Sequence, residues 1–246
     1  MFRTIAGSSV FRLLSSPSCQ IHSCGAMGIL TAFTANPAPA PALELLGADP
    51  VPHRHVSSGQ QAEIARQILQ ATREAEALIL GRDASDLVAR LNPESWCVAE
   101  CLDHLAQTTC AFLPSISQAI ADAPKLTRDR YLRTGVLPSV LIRMLKPPYR
   151  VRLNVLPQLA PQKLSSENAW SRFVNSQSEL FAALNSTAGL AIDKVTVKSP
   201  VYARVSYNLY GAFRMLATHQ KRHVWQIAQI LSALDKQRTA VLKYSA

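Results

Sequence analysis

Apolar residues recur at steps of three and four along most of the chain beyond residue 58, which is the spacing of helices with one buried face. This pattern predicts four long amphipathic helices, and no segment alternates as a strand does. Gly81 is expected to end the first helix, and Pro114 should bend the second. The predicted helices span residues 60–80, 97–121, 166–184 and 208–234.

Four helices that each carry one apolar face predict an all-α fold, and a four-helix bundle is the arrangement that buries such faces. The connection between the second and third helices is unusually long. It covers residues 123–164, is rich in proline, and contains one short helical patch near residues 136–145. We therefore predict a four-helix bundle over residues 59–236, with a long crossover between helices 2 and 3.

The two ends of the chain lack this helical pattern. Residues 1–58 are predicted to be a disordered, leader or linker segment, and residues 237–246 a flexible tail. The first 26 residues are Ser-rich and contain no acid, as in leader peptides, although we favour a disordered extension upstream of a second start at Met27. Residues 13–43 contain no charged side chain, but their longest apolar run, about residues 25–35, falls short of the roughly 18 residues that span a bilayer. We therefore expect no membrane partner.

Cysteine spacing bears on the cellular compartment. The chain contains five cysteines, an odd number without the spacing of a disulfide framework, so a reducing compartment is predicted. Cytoplasmic localisation follows from this, with export or organelle targeting left open by the leader-like start. The oligomeric state is also open, and a homodimer is the commonest homo-oligomer.

The net charge of +10 by itself suggests a nucleic-acid or anionic-surface partner. The distribution of this charge along the chain is uneven and suggests a different role. Residues 125–172 hold ten basic and two acidic residues, whereas residues 57–124 hold four basic and nine acidic ones. The cations thus concentrate in the crossover and the last helix. The candidates for a cationic rim that attracts an anionic thiol or substrate are Arg128, Arg130, Arg133, Arg143, Lys146, Arg150 and Arg152.

The fourth predicted helix contains an anomaly in its apolar stripe. Two positions of that stripe are filled by His219 and His223, which are four residues apart and therefore lie on one face. Burying two imidazoles without partners is costly, whereas a metal ion satisfies both. Structural core histidines are the alternative. The spacing by itself leaves open both this alternative and two ligands of one metal.

A third ligand is expected from a facing helix. His104 is the one other histidine of the helical region, and Glu100 precedes it by one turn. Three neutral protein ligands leave one or more coordination positions of the metal open, as in catalytic sites. Glu100 could then be a fourth ligand, an acceptor that fixes an imidazole tautomer, or a proton acceptor. A Cys/His site that uses Cys97 and Cys101 is conceivable, but small buried hydrophobic residues are the better interpretation of both.

Two segments of the chain resemble a known family. The run Trp-Cys-Val-Ala-Glu-Cys-Leu-Asp-His-Leu at residues 96–105 is similar to the Trp-Ser-x-x-Glu-x-x-x-His-Leu start of helix 2 in the DinB-like superfamily. The His-x-x-x-His at residues 219–223 is similar to the motif on its last bundle helix. The family's Ser is Cys97 here, which weakens the expected capping box with Glu100.

The resemblance implies a four-helix bundle with one divalent metal held by three histidines. The family's ligand positions correspond to His104, His219 and His223 of this chain. Relatives include S-transferases and isomerases that use a low-molecular-weight thiol, and metal-dependent hydrolases. For this chain the resemblance implies zinc, nickel or iron, with a small electrophile and a thiol as partners. No nucleic-acid partner is expected, because the sequence contains no zinc-finger, basic-zipper or RNA-binding signature. The alternative function is a non-enzymatic basic module for nucleic acid or an anionic surface, with structural histidines.

Overall fold

The computed structural model describes residues 56–148, 157–202 and 204–244. Within these ranges the chain is mostly helical and has one small sheet, in agreement with the predicted all-α class. The elements are helices α1 (Val56–Ile79), α2 (Ala84–Val88), α3 (Val98–Ala121), α4 (Val136–Leu145), α5 (Ser166–Asn185) and α6 (Leu209–Tyr244), a 3-10 turn at Pro157–Leu159, and strands β1 (Thr196–Lys198) and β2 (Ser206–Asn208).

The four long helices α1, α3, α5 and α6 correspond to the four predicted ones. α3 packs against both α5 and α6, and α1 packs against α6 and α5. The short helical patch predicted in the crossover is confirmed as α4. The predicted leader falls almost entirely on residues 1–55, which lie outside the described residues. No helix in the described ranges combines the length and apolar character needed to cross a membrane.

The helix ends differ from the prediction mainly in α6, which continues to Tyr244 through residues predicted as a tail. This stretch contains no Gly or Pro that would stop a helix. It is also tied to the loop after α1, because Arg82 donates to the Asp235 carboxylate at 2.6 and 2.9 Å. Gly81, with φ of 75°, ends α1 as predicted.

The structure contains a small two-stranded sheet that the sequence pattern does not indicate. β1 and β2 form an antiparallel pair in which Val197 lies opposite Tyr207. Both of these side chains are buried, while their neighbours in the strands are exposed or partly exposed. Each strand has three residues, so the period of two repeats too few times to stand out in the sequence.

The crossover, defined here as residues 122–165, is fastened near its start to the rest of the fold. The Arg130 guanidinium donates to both oxygens of Asp193 at 2.7 Å, and the Arg133 N–H donates to the same carboxylate at 3.2 Å. The Leu132 N–H donates to the Gln60 amide oxygen at 2.7 Å. These bonds hold the first part of the crossover against α1 and the loop before β1.

Helix α4 lies in the crossover and packs on the start of α6 through Pro138, Ile142 and Leu145, which are buried. Gly211 on α6 permits this close approach. A Cβ at that position would lie 2.5 Å from the Thr134 carbonyl oxygen, which is shorter than van der Waals contact.

The buried apolar side chains form two clusters. One cluster includes Ile68, Phe112, Leu180 and Phe213, and the other includes Leu102, Phe173, Val224 and Ile227. Between them along the four long helices lie several buried polar side chains, and one from each helix makes up what we name the polar layer. Its members are Thr72 of α1, Thr108 of α3, Gln177 of α5 and Gln220 of α6.

Candidate metal centre

Helix α6 brings His219 and His223 together, as their spacing predicts. Their ring centroids are 4.6 Å apart, and their Nε2 atoms are separated by 3.2 Å. Four residues make slightly more than one helical turn, so both rings project from the same face toward α3. This half of the candidate site is encoded locally, within a single helix.

Helix α3 contributes His104 to the same place. The Nε2 atom of His104 lies 3.4 Å from that of His219. The three histidines each offer a nitrogen atom, and these atoms all lie within 4.8 Å of one another. Within the described ranges, this is the one group of three or more His, Cys, Asp or Glu residues arranged to hold a metal ion.

The carbonyl of Leu159 fixes the orientation of the His104 ring. The ring's Nδ1 lies 2.8 Å from the Leu159 oxygen, which only accepts hydrogen bonds. Nδ1 therefore carries the proton, and in the neutral ring Nε2 has the free lone pair. A backbone carbonyl that holds a ring in this way is a common support of metal-binding histidines. Leu159 lies in the 3-10 turn near the end of the crossover.

Burial keeps the three rings neutral. It lowers the pKa of His104, although the bond to Leu159 opposes the shift. Burial, with the neighbouring His104 and Arg222, lowers the pKa of His219 to about 3. The pKa of His223 is lowered well below its ordinary value by burial, by the other two histidines and by Arg222. Unprotonated imidazoles are the form that binds a metal ion.

The contacts among the nitrogen atoms fit a bound cation. His219 Nε2 contacts the Nε2 atoms of both His104 and His223. The His104 Nε2 is an acceptor, and a single N–H on His219 cannot point along both contacts at once. No distribution of protons over three neutral rings makes both contacts good hydrogen bonds. A divalent metal ion, which attracts all three lone pairs, removes this conflict.

Trp96 forms one wall of the cluster. Its ring centroid lies 5.0 Å from that of His104, and it is stacked over His223 at 6.0 Å with an interplanar angle of 23°. Trp96 precedes the first turn of α3 and is partly buried. Its apolar surface limits the access of water to two of the three imidazoles.

Arg222 is a cation beside the cluster that the sequence analysis did not single out. It is 6% exposed and donates weakly to the Met144 carbonyl of α4 at 3.4 Å. Its position between His219 and His223 in the sequence places its charge close to both rings. The sequence contains no signal that would have identified Arg222, because its burial is known only from the structure.

Glu100 is buried, and both of its carboxylate oxygens have partners outside the histidine cluster. Oε2 accepts from the Cys97 N–H at 3.0 Å, and Oε1 pairs with Arg90. The Cys97 sulfur accepts from the Glu100 N–H, so both halves of the capping box are present, with sulfur as the weaker acceptor. A ligand, tautomer-fixing or proton-accepting role for Glu100 stays a prediction.

Asp103, next to His104, is a residue that the sequence analysis missed. It is fully buried, and it accepts from the Gln162 N–H at 2.7 Å and from the Gln107 amide at 2.6 Å. Arg172 of α5 pairs with it at 2.7 Å. Asp103 thus anchors the end of the crossover at Gln162. Gln162 lies three residues after Leu159, whose carbonyl holds the His104 ring.

Cys97 and Cys101 are buried free thiols. Burial is the largest cause of the raised pKa of each, so both stay protonated. Neither belongs to the metal-holding group found in the described residues. Their placement agrees with the interpretation as small buried hydrophobic residues.

The comparisons with known proteins bear on the same region. The sequence profile of the DinB superfamily matches residues 67–227, which include α3, α5, most of α1 and the histidines of α6. Neither the curated proteins nor the solved structures gave a match. Because the matched segment covers well over half of its 246 residues, the chain belongs to the DinB superfamily.

Proposed function

We propose that the protein is a metal-dependent enzyme, a thiol S-transferase or a hydrolase, whose site is formed by His104, His219 and His223. The observation that carries the proposal is the convergence of three neutral imidazole nitrogens within 4.8 Å. We also propose that α1, α3, α5 and α6 form the four-helix bundle of the superfamily, with the site between α3 and α6.

The three histidines would hold one zinc, nickel or iron ion through their nitrogen atoms. When bound, such an ion supplies Lewis-acid chemistry that lowers the pKa of a thiol or of water. Three protein ligands are fewer than these ions accept, which is the pattern of catalytic sites rather than of structural ones.

The surrounding residues of the chain provide orientation and shielding. The Leu159 carbonyl fixes the His104 tautomer. Trp96 covers two of the rings and reduces contact with bulk water. The exposed cations of the crossover, among them Arg128, Arg133, Arg143 and Lys146, favour an anionic substrate, which supports a carboxylate-bearing thiol or electrophile as the substrate class.

Metal content tests the proposal directly. Protein purified without chelators should contain about one equivalent of divalent metal by elemental analysis. His104→Gln and His219→Gln should lose it, because glutamine replaces an imidazole nitrogen with a poor ligand. His55→Ala, which changes a histidine outside the described residues, is the control and should retain the metal. A folded wild type that stays metal-free when zinc, nickel and iron are added would refute the proposal.

Activity requires a second assay. Metal-loaded protein is mixed with a set of low-molecular-weight thiols and electrophiles, and thiol consumption is followed. Hydrolysis of ester and amide substrates is measured in parallel without thiol. Turnover that requires thiol, and that is absent in His219→Gln, identifies a transferase. Turnover without thiol identifies a hydrolase.

A further inference from the structure

Helix α4 is apolar on almost its whole circumference, with Ser139 and Arg143 as its polar residues. A helix of this composition is normally buried on all sides. Here one side packs on α6, and the other side faces outward. The outward residues, which we name the outer face of α4, are Val136, Leu137, Val140 and Met144, with exposures of 84%, 42%, 51% and 36%.

These four positions form one continuous strip. At about 100° per residue, they span an arc of about 100° on the helix surface. The buried Pro138, Ile142 and Leu145 occupy the opposite side. The outer face is therefore a helix stripe of the kind that normally has a partner.

Two cations of α4 and its C-terminal end, Arg143 and Lys146, lie beside this strip, and others lie earlier in the same segment. Residues 125–148 contain six basic residues and one acid, so the segment as a whole is strongly positive. Arg130 is engaged by Asp193 and is not available to a partner. Arg128, Arg133, Arg143 and Lys146 are exposed. On the helix, Arg143 lies about 20° from the edge of the strip, and Lys146 follows the last turn.

We propose that the outer face of α4 and its cations form a docking surface for an anionic phospholipid membrane. Aliphatic side chains on one side of a helix enter the boundary between lipid headgroups and acyl chains, and flanking Lys and Arg bind the anionic headgroups. This proposal replaces our expectation that no membrane partner exists, which rested on the lack of a spanning segment.

Two other occupants fit the surface less well. In a symmetric dimer, the same cations from two copies would face each other and repel. Four partly exposed aliphatic side chains also provide far less than the ~800 Å² per partner of a standard interface. Nucleic acid would use the cations, but its accessible surface is mainly charged phosphate and sugar, which is a poor match for four aliphatic side chains.

The docking surface lies close to the candidate metal centre. The Met144 carbonyl of α4 accepts from Arg222, which stands between two of the histidines in α6. A membrane contact through α4 therefore brings the site near the lipid boundary. The proposal does not depend on metal binding, and the test below has no metal-dependent step.

Cosedimentation with vesicles tests the proposal on the full chain. Vesicles of phosphatidylcholine alone are compared with vesicles that also contain phosphatidylglycerol. The protein should bind the anionic vesicles, and binding should weaken as salt is added. Val140→Asp should reduce the partition coefficient about ten-fold or more, and Arg143→Gln about five-fold. Circular dichroism checks that each variant is folded.

Matched controls come from the far end of α6, where Leu242 is 66% exposed and Lys243 is exposed. Leu242→Asp and Lys243→Gln should bind as the wild type does. The proposal fails if the wild type does not bind anionic vesicles at low salt. It also fails if Val140→Asp binds normally, because another segment is then responsible. Sedimentation equilibrium completes the test, since a wild-type dimer that Val140→Asp dissociates would assign the outer face to a second copy.

Discussion

The crossover is held at each end by a buried aspartate, and the two anchors use the same chemistry for different purposes. Near its start, Asp193 accepts from the Arg130 guanidinium and from the Arg133 N–H. Near its end, Asp103 pairs with Arg172 and accepts from the Gln162 N–H. In both cases one carboxylate accepts from an arginine and from a backbone N–H that are both distant from the aspartate in the sequence.

The difference lies in what each anchor holds in place. Asp193 fastens a connecting segment to the loop before β1. Asp103 stands next to His104 and fastens the segment that carries the Leu159 carbonyl, which sets the tautomer of that same histidine. Asp103 is therefore a positioning residue of the candidate site, whereas Asp193 is a support of the fold. The comparison shows that similar burial and pairing do not imply similar functional importance.

Asp103→Asn should have the largest effect, because it removes the charge that compensates Arg172. Breaking such a buried pair should lower the free energy of unfolding by about 3 kcal/mol, toward the small end of the usual range because Arg172 is partly exposed. Looser support of His104 should also weaken metal affinity about 10- to 100-fold. Urea unfolding and competition with a chromophoric chelator measure the two effects.

Asp193→Asn should lower the free energy of unfolding by about 2 kcal/mol through the loss of its pairing with Arg130. Metal affinity should stay within two-fold of the wild type, because within the described residues the partners of Asp193, Arg130 and Arg133, make no contact with the histidines. The same urea and chelator measurements apply. A loss of affinity as large as that of Asp103→Asn would abolish the distinction between the two anchors.

Acid should destabilise the metal-free protein through its histidines. The pKa of His219 is about 3 in the folded chain, against its ordinary value of 6.5. As the pH falls below about 6.5, the unfolded chain binds protons that the folded chain does not, so stability falls by on the order of 1 kcal/mol per pH unit for each such imidazole. Above about pH 6.5 this effect is absent.

Urea unfolding of chelator-treated protein between about pH 7 and pH 5 measures this dependence. His219→Gln should reduce the slope, whereas Asp103→Asn and Asp193→Asn should retain it. If either aspartate variant flattened the profile and His219→Gln did not, the carboxylates rather than the imidazoles would be the source of the acid sensitivity.

Glu100→Gln should have the smallest effect on stability. Glutamine can still accept from the Cys97 N–H, and only the pairing with the partly exposed Arg90 is lost, so the cost should be about 0.5–1 kcal/mol. Metal content should not change. Once an activity is found, a fall in kcat of a hundred-fold or more in this variant would support the predicted proton-accepting role, and an unchanged kcat would exclude it.

Features that repeat along the sequence, or that follow from local spacing, could be predicted. The four long helices have one apolar stripe each, and α4 was visible as a short helical patch. His219 and His223 share a face because a helix fixes the relation between positions four apart. His104 could be added because no other histidine occurs in the helical region.

Contacts between distant segments could not be predicted in this way. The bond from His104 to Leu159 joins residues 55 positions apart and uses a backbone carbonyl, which every residue has. In the sequence, nothing distinguishes Asp103 from a solvent-exposed charged residue of an amphipathic helix, because its burial depends on the tertiary structure. β1 and β2 are too short for a periodic signal. The continuation of α6 is supported by ion pairs of Asp235 with Arg82 in the loop after α1 and of Arg238 with Asp86 of α2.

The polar layer between the two apolar clusters has a consequence for helix register. Each of the four long helices carries one of its residues, Thr72, Thr108, Gln177 or Gln220, at the boundary. A slip of one helix by a single turn, about 5.4 Å, would move its polar residue into an apolar cluster. We expect this cost to favour one vertical alignment of the helices. In that alignment, His104 of α3 lies level with His219 and His223 of α6 along the helix axes.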